Sequence, residues 1–123
     1  MSVSVKLKKG LDIKLRGNAE KVLKPEVASA NYAVRPTDFP GLTPKLNVKV
    51  GDKVSAGSVL FYDKLMPEIV FTSPVSGTVT EVTRGDRRRI LEIIVEKAGN
   101  EFIDFGKADP TSVSRDEIKK KIL

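Results

Sequence analysis

Lys64 stands in the stretch Asp63-Lys64-Leu65-Met66-Pro67-Glu68. A lysine amine at a tight hairpin tip is the group through which carrier domains hold an acylated prosthetic group. Here Lys64 comes early in the tip, no methionine pair flanks it, and Pro67 stiffens the turn. The reading of Lys64 as a solvated turn lysine is therefore preferred. The carboxylates Asp52, Asp63, Glu68 and Asp86 lie among turn residues. No spacing pairs two of them for acid–base work. The chain contains no cysteine, histidine or tryptophan. That excludes disulfides, thiol nucleophiles, iron–sulfur ligation by this chain, Ser-His-Asp triads and imidazole metal ligands. No EF-hand-like loop occurs, which leaves only a carboxylate-only cation site open. The expectation is no catalytic residue and no metal site in these 123 residues.

Binding chemistry is better represented. The net charge is +6, from 22 basic and 16 acidic residues. Residues 1–60 hold 11 basic and 5 acidic residues, and the remainder holds equal numbers, so the excess lies in the first half, mostly between Lys6 and Lys24. Arg84, Arg87, Arg88 and Arg89 form a second cluster. Such clusters read phosphates, anionic lipid or an acidic partner, and these four arginines are candidates for docking. Single-stranded nucleic acid would call for aromatic residues among the charges. The five Phe and two Tyr lie outside the basic runs, so no nucleic-acid partner is expected.

The elements that must position these groups are short strands. Val3, Val5 and Leu7 alternate with polar residues, and Leu11, Ile13 and Leu15 repeat the pattern after Lys9-Gly10. Period-two alternation predicts half-buried strands here. Further strands are expected over Leu46 to Val50, at Val54, over Val59 to Phe61, Ile69 to Phe71, Thr78 to Val82 and Ile90 to Val95, with a short last one at Phe102 to Phe105. The turns between them rest on Gly51, Asp52, Gly57, Pro74, Gly77, Gly85 and Asp86. Residues 24–44 carry four prolines and read as an ordered loop with one strand at Ala30 to Val34. Ser114-x-x-Glu117 is a capping box that opens a helix, with Val113 and Ile118 placed as a hydrophobic staple. No run approaches the roughly 20 apolar residues of a membrane span. Mainly β architecture, a barrel or sandwich, follows.

Two half-motifs narrow this. Val50-Gly51-Asp52-Lys53-Val54 with Gly57 and Leu60, followed by Ser73-Pro74-Val75-Ser76-Gly77-Thr78-Val79, resembles the biotinyl/lipoyl type of barrel-sandwich hybrid. Arg84-Gly85-Asp86 repeats the Gly-Asp turn and suits that fold's internal pseudo-symmetry. The Lys8-Lys9-Gly10-Leu11-Asp12 start, Arg35-Pro36, Leu60-Phe61-Tyr62-Asp63-Lys64 and Val70 to Val79 add to the likeness. In this order they resemble the N-terminal domain of the NqrA subunits of sodium-translocating NADH:quinone oxidoreductases. The related RnfC subunits of Rnf electron-transport complexes share the hairpins and are the alternative family. A carrier domain without the Met-Lys-Met lysine is the other alternative. Ser76-Gly77-Thr78 lacks the alanine of the Ser-Gly-Ala-Thr sequence that takes covalent flavin.

The resemblance implies a barrel-sandwich domain over residues 1–110, including loop 24–44. Residues 111–123 would start a helix leading to a further domain. It implies a non-catalytic part of a peripheral subunit on the cytoplasmic face of the bacterial inner membrane. The expected partners are the integral membrane subunits and the remainder of its own chain. No cofactor is expected in this stretch. Ubiquinone or menaquinone would concern the full subunit, and flavins and iron–sulfur centres the other subunits. A quinone wants an apolar, aromatic-lined cleft with a donor or two. Tyr32, Arg35, Phe39 and Tyr62 are the candidates for that or for the interface. Core packing and a surface ion pair account for the same residue types.

Overall fold

Glycine, proline and aspartate cut the second part of the chain into short apolar runs, and nearly every run becomes a strand. The computed structural model describes residues 2–123. Its strands are β1 (Asn31–Val34), β2 (Pro44–Leu46), β3 (Lys53–Val54), β4 (Val59–Asp63), β5 (Val70–Thr72), β6 (Gly77–Arg84) and β7 (Ile90–Lys97). One helix follows, α1 (Arg115–Ile122). The strands form a four-stranded sheet in the order β1-β7-β6-β3 and a three-stranded sheet in the order β2-β4-β5, all pairs antiparallel.

The core lies where the two sheets face each other. Leu60 and Phe61 from β4 meet Val79 from β6 and Ile93 and Val95 from β7, all fully buried, with Val54 and Ile90 at the margin. Burying five side chains of this size completely contributes roughly 1.5–3 kcal/mol each. Three register shifts curl the sheets, at Leu60 in β4, Thr80 in β6 and Leu91 in β7. An inserted residue bends its strand and raises the local twist. At β4 the extra residue is Leu60, and two successive side chains, Leu60 and Phe61, are buried where alternation would bury one.

The two half-motifs are bonded to each other. Gly57 N donates to Ser73 O (2.9 Å) and Ser73 N to Ser58 O (2.8 Å). Gly51 N donates to Val79 O (2.7 Å) and Val79 N to Asp52 O (2.9 Å). Gly51 has φ 95°, and Lys49 N donates to the Asp52 carboxylate at 2.8 Å, so Asp52 closes its turn as the sequence requires. The second Gly-Asp turn is built differently. Gly85 has φ −103°, and the left-handed residues are Arg87 (φ 54°) and Arg88 (φ 61°).

The structure corrects three strand expectations. Residues 2–29 form no strand; they carry only bends at Lys8-Lys9 and Arg16-Gly17, and every one is exposed. Alternation makes a segment amphipathic, but a strand persists only against a surface that covers its apolar face. The core is already closed by β1 to β7. At the other end, Phe102 makes one isolated parallel bridge to Ala56, in place of a last strand. Between these, the strand expected from Leu46 to Val50 ends at Leu46 and begins at Pro44, an edge position that tolerates proline. Ala30 to Val34 is realised as β1, and the Ser114 capping box is complete, with Glu117 N on Ser114 Oγ (3.3 Å) and Ser114 N on the Glu117 carboxylate (2.9 Å).

Candidate functional site

The four quinone or interface candidates are distributed over both sheets. Tyr32 lies in β1 opposite Val95, half-buried, and its hydroxyl accepts from Ser29 N at 3.3 Å. Tyr62 lies in β4 between Lys45 and Val70, with the Lys45 ammonium 5.9 Å from its ring centroid. Arg35 precedes the 3-10 turn Pro36–Asp38 and pairs with Glu92 of β7 at 3.4 Å, on the surface. An exposed pair of this kind adds about 0–1 kcal/mol. Phe39, at the end of that turn, tilts against Phe71 at 4.6 Å, and Phe71 stacks on the core ring Phe61 at 4.7 Å. Phe39 thus ties the proline-rich loop to the smaller sheet. The hollow beside it, about 80 Å³, is lined by Pro36, Pro40, Leu42, Arg89 and Ile90, with none of Tyr32, Arg35 or Tyr62. The structure does not gather the four side chains around one cavity there.

Lys64 follows β4 directly, and the apex of the β4–β5 hairpin is formed by the residues after it. Lys64 N donates to Thr43 O (2.8 Å), and the Asp63 carboxylate accepts from Leu65 N (3.0 Å). The side chains exposed at the apex include Leu65 and Met66.

The hairpin between β6 and β7 carries the arginine cluster. Gly85 N donates to Arg89 O (2.8 Å) and Arg89 N to Asp86 O (3.1 Å), closing a tight loop. Arg84 Nη1 donates to Arg88 O at 3.1 Å. Arg84, Arg87, Arg88 and Arg89 are all exposed, with Asp86 the one carboxylate in the loop. A left-handed conformation costs a non-glycine residue roughly 1–2 kcal/mol, and two in succession bear it here. The strong β6–β7 ladder on either side holds that geometry. The result is a tip whose backbone is closed by hydrogen bonds and which carries four exposed guanidinium groups, suited to carboxylates or phosphates, which guanidinium recognises through paired N–H donors.

The remaining turn residues support the frame. Gly57 packs beneath Phe105. Ser73 Oγ donates to Val75 O (2.6 Å) beside Pro74, and Ser76 Oγ donates to Ala98 O (3.0 Å) beside Gly77.

A cleft of about 530 Å³ opens between β5 and α1, its lining including Val59, Val70, Phe105 and Leu123 together with Lys120 and Lys121. Its size falls in the range of small-molecule sites, roughly 300–1,000 Å³. The Lys121 ammonium is already engaged by Phe105 O at 2.8 Å. The cleft depends on a long-range approach of α1 to β5, which no local sequence pattern announces. Among the described residues no group of three or more His, Cys, Asp or Glu could hold a metal ion, and no helix is long and apolar enough to cross a membrane.

Comparison with known proteins agrees with this architecture. The family model described as the NqrA N-terminal barrel-sandwich hybrid domain matches residues 5–98. Relatives named as NqrA subunits of the Na(+)-translocating NADH-quinone reductase are similar over nearly the whole chain. The protein of Histophilus somni (strain 2336) is 40% identical over 116 residues, 94% of this chain and 25% of its own length. That of Vibrio atlanticus is 36% identical over 122 residues, 97% of this chain and 27% of its own. That of Shewanella amazonensis is 34% identical over 122 residues, 97% and 28%. The chain spans about a quarter of the length of the curated relatives it matches. The two curled sheets, the paired half-motifs and the family match lead to one assignment: this chain belongs to the NqrA N-terminal barrel-sandwich hybrid domain family.

Proposed function

We propose that the chain is a non-catalytic docking domain of a peripheral subunit in a respiratory, sodium-pumping NADH:quinone oxidoreductase. The observation that carries this reading is the family match across residues 5–98. The arginine tip gives it a physical means. An exposed cluster at Arg84, Arg87, Arg88 and Arg89 on one hairpin tip suits acidic loops on integral subunits, where charge complementarity sets register and speeds encounter. Such a subunit would lie on the cytoplasmic face of the bacterial inner membrane. Its partners would be the integral subunits and the further polypeptide that the longer relatives carry. Ubiquinone or menaquinone would be handled by the whole subunit, with flavin and iron–sulfur centres on other subunits. Tyr32, Arg35, Phe39 and Tyr62 remain this domain's candidates for a contribution to quinone contact or to the interface.

The test is deletion of the coding segment for residues 31–98 in the source organism. Loss of sodium-dependent NADH:quinone reductase activity from membranes, with the integral subunits no longer migrating as one complex, is expected. Normal assembly and activity would overturn the proposal.

A further inference from the structure

Six aliphatic side chains, Val3, Val5, Leu7, Leu11, Ile13 and Leu15, are between 75% and 99% exposed within thirteen residues. Nothing in the barrel covers them. Their spacing specifies more than strand character. A reversal through the three-residue loop Lys8-Lys9-Gly10 would pair Leu7 with Leu11, Val5 with Ile13 and Val3 with Leu15. Paired residues share a face, so all six would stand on one side. The same register sets Lys6 opposite Asp12 on the other side. A two-residue loop at Lys9-Gly10 would pair Leu7 with Asp12 and Lys6 with Ile13, and mix the faces. The chain bends at Lys8 and Lys9, where the segregating register needs its turn. Three-residue hairpin loops favour glycine at their last position, which is Gly10.

The charge indicates what the face meets. Between Ser2 and Lys24 stand Lys6, Lys8, Lys9, Lys14, Arg16, Lys21 and Lys24 against only Asp12 and Glu20, which is five of the chain's net +6. An apolar face of purely aliphatic side chains, with Lys6 and Lys14 on the opposite face and Lys8 and Lys9 in the turn, matches a surface that is apolar below and anionic above. An acidic bilayer interface has both layers. Lysine stems can cover apolar surface while their ammonium groups reach phosphates. A hairpin with open edges is tolerated in the hydrated head-group layer, though not in the hydrocarbon core.

We propose that residues 3–15 form an amphipathic β-hairpin that seats its six aliphatic side chains on an anionic bilayer surface. The proposal deepens the membrane-complex reading and takes from it only the presence of a membrane. The assay below contains no partner protein, so its failure would leave the docking-domain reading standing.

The test is flotation of the purified 123-residue chain with vesicles rich in phosphatidylglycerol and with pure phosphatidylcholine vesicles, at physiological ionic strength. Binding to the acidic vesicles alone is expected. The triple substitution Leu7→Ser, Leu11→Ser, Ile13→Ser should weaken binding at least about tenfold. Each of Lys6→Gln and Lys14→Gln should weaken it about fivefold. In the bound state, cross-strand contacts between Val5 and Ile13 are expected by NMR. Unchanged amide shifts in β6 and β7 would show that each variant keeps its barrel. Wild-type protein that fails to float with acidic vesicles would overturn the proposal. So would a triple-serine variant that binds as well as wild type, because charge alone would then account for binding.

Discussion

A methyl group added at Gly77 would overlap the Glu96 carbonyl of the neighbouring strand. The start of β6 can therefore approach β7 only without a Cβ, and Gly77→Ala should destabilise the domain by about 2–3 kcal/mol, as overpacking does in a core. Urea unfolding followed by tyrosine fluorescence reads this directly. A different residue-level effect governs α1. The Ser114 backbone N–H and hydroxyl both donate to the Glu117 carboxylate and hold its pKa below the ordinary glutamate value. A carboxyl depressed in the folded state stabilises it above the unfolded pKa and loses that effect as pH falls through the folded one. Helical NMR shifts of residues 115–122 should therefore weaken on acidification below the ordinary glutamate range. In Ser114→Ala, which removes the reciprocal cap, they should be weaker already at neutral pH. The roles of Gly51, Asp52 and Gly77 are legible in the sequence because glycine and aspartate have few reasons to sit between apolar runs other than a turn or a close approach. The left-handed pair Arg87 and Arg88 is not legible, because Gly85-Asp86 just ahead is the better turn signal and the ladder on either side forces the strain one residue on.

Elements separate into those that the barrel needs and one that it does not. β3, β4, β6 and β7 carry the whole buried core. Their apolar runs are readable in the sequence, whereas the inserted residues Leu60, Thr80 and Leu91 that curl the sheets leave no compositional mark. The first segment shows the limit of periodicity. Val3 to Leu15 alternates as cleanly as any strand of the barrel, yet it contributes no buried residue. Alternation reports which side of a segment is apolar; whether a surface waits for that side depends on the rest of the fold. Removal of residues 2–24 should therefore leave the unfolding free energy within about 0.5 kcal/mol of the full chain, the range of surface changes. Urea midpoints and slopes of the two proteins compare this. A marked loss would place the segment in the folded core.

At the scale of the whole molecule, the order of the half-motifs is more informative than any single residue. Val50 to Leu60 and Ser73 to Val79 are separated in the chain by the β4–β5 hairpin and are joined in space by the hydrogen bonds of Gly51, Gly57, Ser73 and Val79. That pairing is what lets a short sequence pattern specify a two-sheet fold and point to its family. The candidate site is less legible. Tyr32 and Tyr62 occupy separate sheets, and the cleft beside α1 is lined by elements more than forty residues apart in the chain. The arginine cluster is readable as composition, and the structure adds that its four residues share the tip of one hairpin whose backbone is closed by hydrogen bonds.

Docking is tested most directly by affinity capture with the purified chain on detergent-solubilised membranes of its source organism, with the captured proteins identified by mass spectrometry. Recovery of the integral subunits of a sodium-translocating NADH:quinone reductase is the expected result. Recovery should fall at least about tenfold when Arg84, Arg87 and Arg88 are changed to glutamate, because like charges would then face each other across the interface. Failure of the wild-type chain to recover those subunits, or equal recovery by the charge-reversed chain, would contradict a docking role.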